Sequence, residues 1–258
     1  MPAHFRALII PAAYSTNPTI NASNMPSSSK TMPSRFLFLA AFLLPLLVPS
    51  AAGAHGVADA DAAYLQSIEG VHFLPYIYLG AKHMFTGYDH LLFLAGVIFF
   101  LYRLRDVSLY VSLFAVGHSL TLLLGVLGGI RADAYLVDAL IGFSVVYKAF
   151  DNLGGFTRLG IHINNKAAVF AFGLAHGFGL STKLQDLSLS TDGLVANMLA
   201  FNIGVELGQL AALALILLAF QYWRQSPGFL RAAFTSNVII MVAGFLLMGY
   251  QLTGYLLA

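Results

Sequence analysis

Long apolar runs alternate with short polar segments from about residue 77 to the end of the chain. A transmembrane helix needs about 20 mostly apolar residues, and six runs are close to that length. They lie roughly at 77–102, 108–129, 134–152, 167–185, 194–222 and 234–257. The pattern predicts an all-α fold, a polytopic membrane bundle in which six transmembrane helices occupy residues 76–258.

The segment before the first run divides into three parts. Residues 1–31 are rich in Ser, Asn, Pro and Thr, so we expect them to be disordered or to precede the true start. Residues 32–54 combine Arg35, an apolar stretch and a small-residue ending at Ala54, which is typical of a cleaved signal peptide. An uncleaved anchor helix is the alternative. Cleavage after Ala54 would leave residues 55–75 as an extracytoplasmic leader.

The new amino terminus would then be His55. Its imidazole and the free α-amino group beside it could chelate a divalent ion. The alternative is that residues 55–75 form a plain polar leader without a site.

Composition supports an integral membrane protein and excludes several chemistries. The chain is 59% hydrophobic and 9% charged, against about 25% charged residues in a soluble domain. It has no cysteine, which excludes disulfides, thiolate metal sites and thiol nucleophiles. The net charge is +2 with no basic cluster among aromatic residues, so nucleic-acid binding has no support.

The positive charges predict an orientation. The segments after spans 1, 3 and 5 carry six lysines and arginines, and the opposite side carries three. Because cytoplasmic loops are enriched in Lys and Arg, the mature N terminus and the C terminus are expected to be extracytoplasmic. A cleaved signal peptide requires the same orientation.

Two histidines and an aspartate lie at the start of span 1. On a continuous helix, seven residues bring His83 and His90 to nearly the same face, while Asp89 points roughly 100° away. Polar groups at such a position are costly within a bilayer and are candidates for function.

Other spans also carry polar side chains, and we expect them to converge inside the bundle. A charged group at the bilayer centre costs about 2.5–3.5 kcal/mol on insertion scales. On a helix, Asn202, Glu206 and Gln209 fall at i, i+4 and i+7 and form one stripe. The predicted metal ligands are His83, Asp89, His90, His118, His176 and Glu206, with Asn202, Gln209 and Asp138 as supporting polar groups. Imidazoles and carboxylates favour Ni²⁺, Co²⁺, Zn²⁺ or Fe²⁺ over Mg²⁺ or Ca²⁺.

Two further patterns concern packing and charge. Gly173 with Gly177 forms a small-xxx-small pair that allows close approach of a neighbouring helix, and Gly204 with Gly208 forms another. Lys148 and Asp151 are spaced to form an i, i+3 ion pair near the inner side. That pair is either structural or a gate at the cytoplasmic exit.

Four motifs resemble the HupE/UreJ family of bacterial inner-membrane proteins, particularly its second branch. The resemblance covers about residues 70–257, and the motifs occur in the family's order. They are His83-x5-Asp89-His90, the Gly-His-Ser-Leu-Thr segment 117–121, the Leu-Ala-His-Gly-Phe-Gly segment 174–179 and segment 201–209. The resemblance implies a cleaved signal, six spans and an inner-membrane location. It also implies a nickel or cobalt permease, or an accessory protein of hydrogenase or urease maturation.

The leading hypothesis is therefore a permease for Ni²⁺ or Co²⁺, with Zn²⁺ as another possible cargo. No phosphate-binding loop is present, and a divalent ion gains about 4.6 kcal/mol per 100 mV of membrane potential, so the potential can drive uptake. The expected partners are the divalent ion and the lipid bilayer, and no tightly bound cofactor is expected.

Three other functions remain open at this point. An intramembrane zinc hydrolase would hold Zn²⁺ with three histidines and use Asp89 or Glu206 to activate water. A metallochaperone or other accessory protein would bind the metal without transporting it. A b-type haem protein would use paired histidines as axial ligands.

Overall fold

The computed structural model describes residues 59–187 and 189–258. The predictions for residues 1–31, for the signal peptide with its cleavage after Ala54, and for a chelate at His55 lie outside the described residues. So does the first part of the predicted leader.

The described residues are helical and contain no strand, which confirms the predicted all-α fold. The helices are α1 (Asp59–Ser67), α2 (Phe73–Thr86), α3 (Tyr88–Ile98), α4 (Leu104–Gly128), α5 (Ala134–Asn152), α6 (Gly155–Arg158), α7 (Asn165–Asp186), α8 (Leu194–Arg224) and α9 (Phe229–Leu257).

In the described part of the chain, α4, α8 and α9 are long and apolar enough to cross a membrane. They coincide with the second, fifth and sixth predicted spans. Helices α5 and α7 coincide with the third and fourth, but α5 carries Asp138, Lys148 and Asp151 within its 19 residues. The number of six spans stays a prediction.

The first predicted span is not one helix. It is divided at Gly87, where φ is −78° and ψ is 91°, into α2 and α3. A side chain at Gly87 would have its Cβ 2.7 Å from Nδ1 of His90 and 3.2 Å from the carbonyl oxygen of His83. A side chain at this position would displace the His90 ring. The prediction of one continuous helix over this span was therefore wrong. The side-chain directions of His83, Asp89 and His90 that were derived from such a helix were wrong as well.

Glycines bring the larger helices together in three closely packed pairs. A Cβ added at each of these glycines would collide with backbone atoms of the facing helix. The contacts are Gly204 on Ile77 between α8 and α2, Gly177 on His118 between α7 and α4, and Gly142 on Met248 between α5 and α9. The predicted packing roles of Gly173–Gly177 and Gly204–Gly208 are confirmed.

The same contacts give the relative directions of the helices. Gly204 faces Ile77 and Gly208 faces Ala81, so α8 runs parallel to α2. By the same argument α7 runs parallel to α4, and α9 runs antiparallel to α5. The supporting contacts are Gly173 with Phe114, Gly177 with His118, Gly142 with Met248 and Gly244 with Val146. These are the relative directions that six successive crossings would produce.

Helix α3 lies at the centre of the bundle. Its residues 89–98 are all buried, and it packs against α2, α4, α5, α8 and α9. At its carboxyl end, Nη2 of Arg224 donates hydrogen bonds to the carbonyl oxygens of Ile98 at 2.5 Å and Phe99 at 2.8 Å. This cap fixes one end of α3, and the other end faces the histidines.

Candidate metal site

Three histidines from three helices meet at the break between α2 and α3. His83 comes from the end of α2, His90 from the first turn of α3 and His118 from the middle of α4. One ring nitrogen of each lies within 4.8 Å of the other two. Two nitrogens that bind one ion at about 2.1 Å can be at most about 4.2 Å apart. Only small side-chain movements are therefore needed to form a shared site.

The break at Gly87 is what brings His83 and His90 together. Their ring centroids lie 5.0 Å apart, although α2 and α3 have separate helix axes. Asp89 and His90 are each about 1% exposed, and the carboxylate oxygen Oδ1 of Asp89 lies 3.1 Å from Nδ1 of His90. Asp89 thus contacts the imidazole beside it.

Both ring nitrogens of His118 are buried. Its side chain is 0% exposed, and neither Nδ1 nor Nε2 has a hydrogen-bond partner within the described residues. Leaving a buried polar group unsatisfied costs about 1–3 kcal/mol. Such a group indicates a ligand, because an ion bound to one nitrogen would compensate part of this cost.

His176 lies beside the three histidines. Its ring centroid is 4.8 Å from that of His90. Its Nδ1 lies 2.7 Å from the carbonyl oxygen of Phe172, so Nδ1 carries the proton and donates it to that oxygen. This tautomer makes Nε2 the basic nitrogen of the ring. Phe93 and Phe114 flank the imidazole, with centroids at 5.5 and 5.0 Å.

The predicted supporting groups have other contacts. Asp138 accepts a hydrogen bond from Nζ of Lys183 at 2.9 Å and one from Nε2 of Gln251 at 3.4 Å. Asn202 donates to the carbonyl oxygen of Met198 within its own helix. None of these contacts involves a histidine.

Gln209 connects α8 to α4. Its Nε2 donates to the carbonyl oxygen of Val111 at 3.3 Å. In the described part of the protein, neither its Oε1 nor the Oδ1 of Asn202 has a hydrogen-bond partner, and both oxygens are buried.

Glu206 does not point into the bundle. It is exposed on the surface of α8, whereas Asn202 and Gln209 are buried. The prediction that the whole i, i+4, i+7 stripe converges inside was therefore wrong for Glu206. Gly204 and Gly208 pack against α2, and Gln209 contacts α4.

Gly87, which lies between His83 and His90, was not among the residues predicted for the site. Signals for it were present, because glycine often ends a helix and an acidic residue often lies in the first turn of the next. Asp89 lies two residues after Gly87, in the first turn of α3.

A family model described as HupE / UreJ protein matches residues 59–258. The chain belongs to the HupE/UreJ family. The match includes every helix of the described region, and it confirms the resemblance found in the four motifs. No curated protein and no solved structure matches the chain. Family membership and the apolar helices α4, α8 and α9 indicate that this HupE/UreJ protein resides in a lipid bilayer.

Proposed function

We propose that this HupE/UreJ protein is a permease that carries Ni²⁺ or Co²⁺ across the bacterial inner membrane. The observation that carries the proposal is the buried cluster of His83, His90 and His118, whose nitrogens lie within 4.8 Å of one another. Imidazole ligands without thiolates suit these ions. The metals named are those that the family resemblance implies.

The ion is the cargo, and the histidines replace the water that it loses on entering the bilayer. His83, His90 and His118 form the first binding site, and Asp89 orients the imidazole of His90. His176 lies against His90 and can take over the ion as it moves inward. The membrane potential supplies about 4.6 kcal/mol per 100 mV for a divalent ion moving inward.

The orientation of the chain belongs to the same proposal. With the mature N terminus outside, α2 and α3 run inward, and the histidines lie nearer the outer surface than the carboxyl end of α3. An incoming ion therefore meets His83 before it reaches His176.

The hydrolase alternative loses one of its two candidate bases. Glu206 is exposed on α8 and is not part of the histidine group found among the described residues. Asp89 contacts Nδ1 of His90, which suits an orienting role. An accessory role without transport predicts that the protein binds the metal but supports no flux.

Reconstitution in liposomes tests the proposal. With an inside-negative potential, entry of Ni²⁺ or Co²⁺ is followed by an enclosed metal-sensitive fluorophore. Wild-type protein should give flux, and His90→Ala should abolish it. His162→Ala is the matched control, because His162 is exposed in the segment between α6 and α7, and it should transport normally. Equal flux in His90→Ala and wild type would overturn the proposed function.

A further inference from the structure

A second polar cluster lies at the end of α3 opposite the histidines. Lys148 of α5 packs its side chain against Gly96, where an added Cβ would lie 3.2 Å from Cγ of Lys148. Gly96 follows His90 by six residues, so it lies about 9 Å further along α3. The side chain of Lys148 therefore lies further along α3 than the histidines do.

One carboxylate holds this ammonium group. Nζ of Lys148 donates to Oδ2 of Asp151 at 2.5 Å. Nδ2 of Asn165 donates to the same oxygen at 3.0 Å, and the hydroxyl of Tyr147 donates to Oδ1 of Asn165 at 3.0 Å. The Lys148 side chain is 10% exposed and that of Asp151 is 22% exposed. A buried cation is thus paired with a carboxylate that also accepts from an amide and is partly open to solvent.

Aromatic rings connect the two polar sites. His176 contacts Phe93 at a centroid distance of 5.5 Å, Phe93 contacts Phe172 at 5.7 Å, and Phe172 contacts Tyr147 at 5.1 Å. A dehydrated cation cannot rest among such rings without polar ligands. An ion that leaves His176 in this direction therefore next meets polar ligands at the Tyr147–Asn165–Asp151 network.

We propose that Asp151, with the amide group of Asn165 beside it, forms an exit site for the transported divalent cation. The ammonium group of Lys148 fills this site when no ion is present. This inference rests on the proposed function and extends it to a second position on the pathway. Carboxylate and amide oxygens hold Ni²⁺ or Co²⁺ less strongly than imidazoles do, so the site favours release.

Charge explains how the exit site opens. Two cations that compete for one carboxylate in a low-dielectric interior repel each other strongly. An arriving divalent ion displaces the ammonium group, and Lys148 returns when the ion has left. The positive charge of Lys148 thus closes the inner end of the pathway between transport events.

Counting bound ions tests the exit site directly. Lys148→Met keeps an unbranched side chain and removes the charge. In equilibrium dialysis of the purified full-length protein with Co²⁺, this variant should bind one more ion per chain than wild type. The extra ion should be lost in the double variant Lys148→Met/Asp151→Asn. Lys166→Met is the control, because Lys166 is exposed beside Asn165, and it should bind as wild type does. A wild-type count in Lys148→Met would overturn the proposal.

Two further variants separate this result from the proposed function and from misfolding. The double variant His90→Ala/Lys148→Met should keep the extra ion even if the histidines bind none. Asp151→Asn retains Lys148, and its fold is checked by size-exclusion chromatography and circular dichroism. It should lower Co²⁺ flux in liposomes roughly ten-fold, about 1.4 kcal/mol, without changing affinity at the histidines. Wild-type flux in folded Asp151→Asn would contradict the exit site.

Discussion

Nδ1 of His90 lies 3.1 Å from Oδ1 of Asp89, the residue directly before it in the chain. Both belong to the first turn of α3, just after the break at Gly87. Histidines that bind metals commonly donate their second ring N–H to a carboxylate, which fixes the tautomer and the direction of the ring. This geometry suits Asp89 as a positioning residue for His90 in the proposed metal site.

Asp89→Asn should weaken metal binding by about 10–100-fold, the usual effect of losing such a partner. An amide lacks the negative charge that stabilises the Nδ1–H tautomer. Isothermal titration of the purified protein with Ni²⁺ measures the change. Asp186→Asn is the control, because Asp186 forms an exposed ion pair with Arg131, and it should bind normally. Unchanged affinity in Asp89→Asn would exclude the positioning role.

His118→Leu should abolish Ni²⁺ binding and leave the metal-free protein at least as stable as wild type. Both ring nitrogens of His118 are buried without a hydrogen-bond partner in the part of the chain that the structure describes, so an apolar side chain removes a cost of about 1–3 kcal/mol. Thermal unfolding with and without Ni²⁺ measures both effects.

Ni²⁺ should affect the unfolding temperatures of wild type and His118→Leu differently. Saturating Ni²⁺ should raise the unfolding temperature of wild type, since a ligand at 100 times its Kd stabilises by about 2.7 kcal/mol. It should not change that of His118→Leu. A metal-free variant that is much less stable, or one that Ni²⁺ still stabilises, would assign His118 a structural role.

Gly177→Ala should destabilise the protein by about 1–3 kcal/mol, because its methyl group would collide with the carbonyl oxygen of His118 and separate α7 from α4. Metal affinity should fall as well, since the collision moves the backbone of a ligand. Denaturant unfolding in detergent measures the loss.

Gly249→Ala is the matched control for this prediction. Among the described residues, no atom of another part of the chain lies within 4 Å of a Cβ added there. Alanine should therefore be neutral or stabilise α9 by up to about 1 kcal/mol. If Gly249→Ala lowers stability as much as Gly177→Ala does, close helix packing is not the cause.

Glu206→Gln should leave the affinity for Ni²⁺ unchanged. The carboxylate is exposed on α8 and lies outside the histidine group found among the described residues. The i, i+4, i+7 pattern of Asn202, Glu206 and Gln209 predicts the opposite, a clear loss of binding. Isothermal titration of this single variant therefore distinguishes the geometry from the periodicity argument, and a loss of affinity would restore Glu206 as a ligand.

The sequence predicted most of the helices because length and apolar composition determine them. It also predicted the glycine contacts and the Lys148–Asp151 pair, since both depend on spacing within one helix. The contact between His90 and His118 could be predicted because polar groups are costly in lipid. That cost favours burial of both side chains inside the bundle, whichever helices are neighbours.

The direction of Glu206 could not be predicted in the same way. In a soluble helix the apolar stripe identifies the buried side, but lipid and the bundle interior are both apolar. The residues around Glu206 therefore look alike on both sides of α8. The break at Gly87 was not predicted because residues 77–102 were treated as one helix, although a glycine within that span permits a helix to end.

The amino end of α3 points toward the histidines, so its helix dipole acts on any ion bound there. The aligned peptide dipoles give that end about half a positive charge, which opposes a cation, and the carboxylate of Asp89 in the first turn carries the opposite charge. An uncharged residue in place of Asp89 would leave that half charge facing the histidines. On the proposed function, an ion would then be held less tightly and would leave sooner, because weaker binding shortens the residence time.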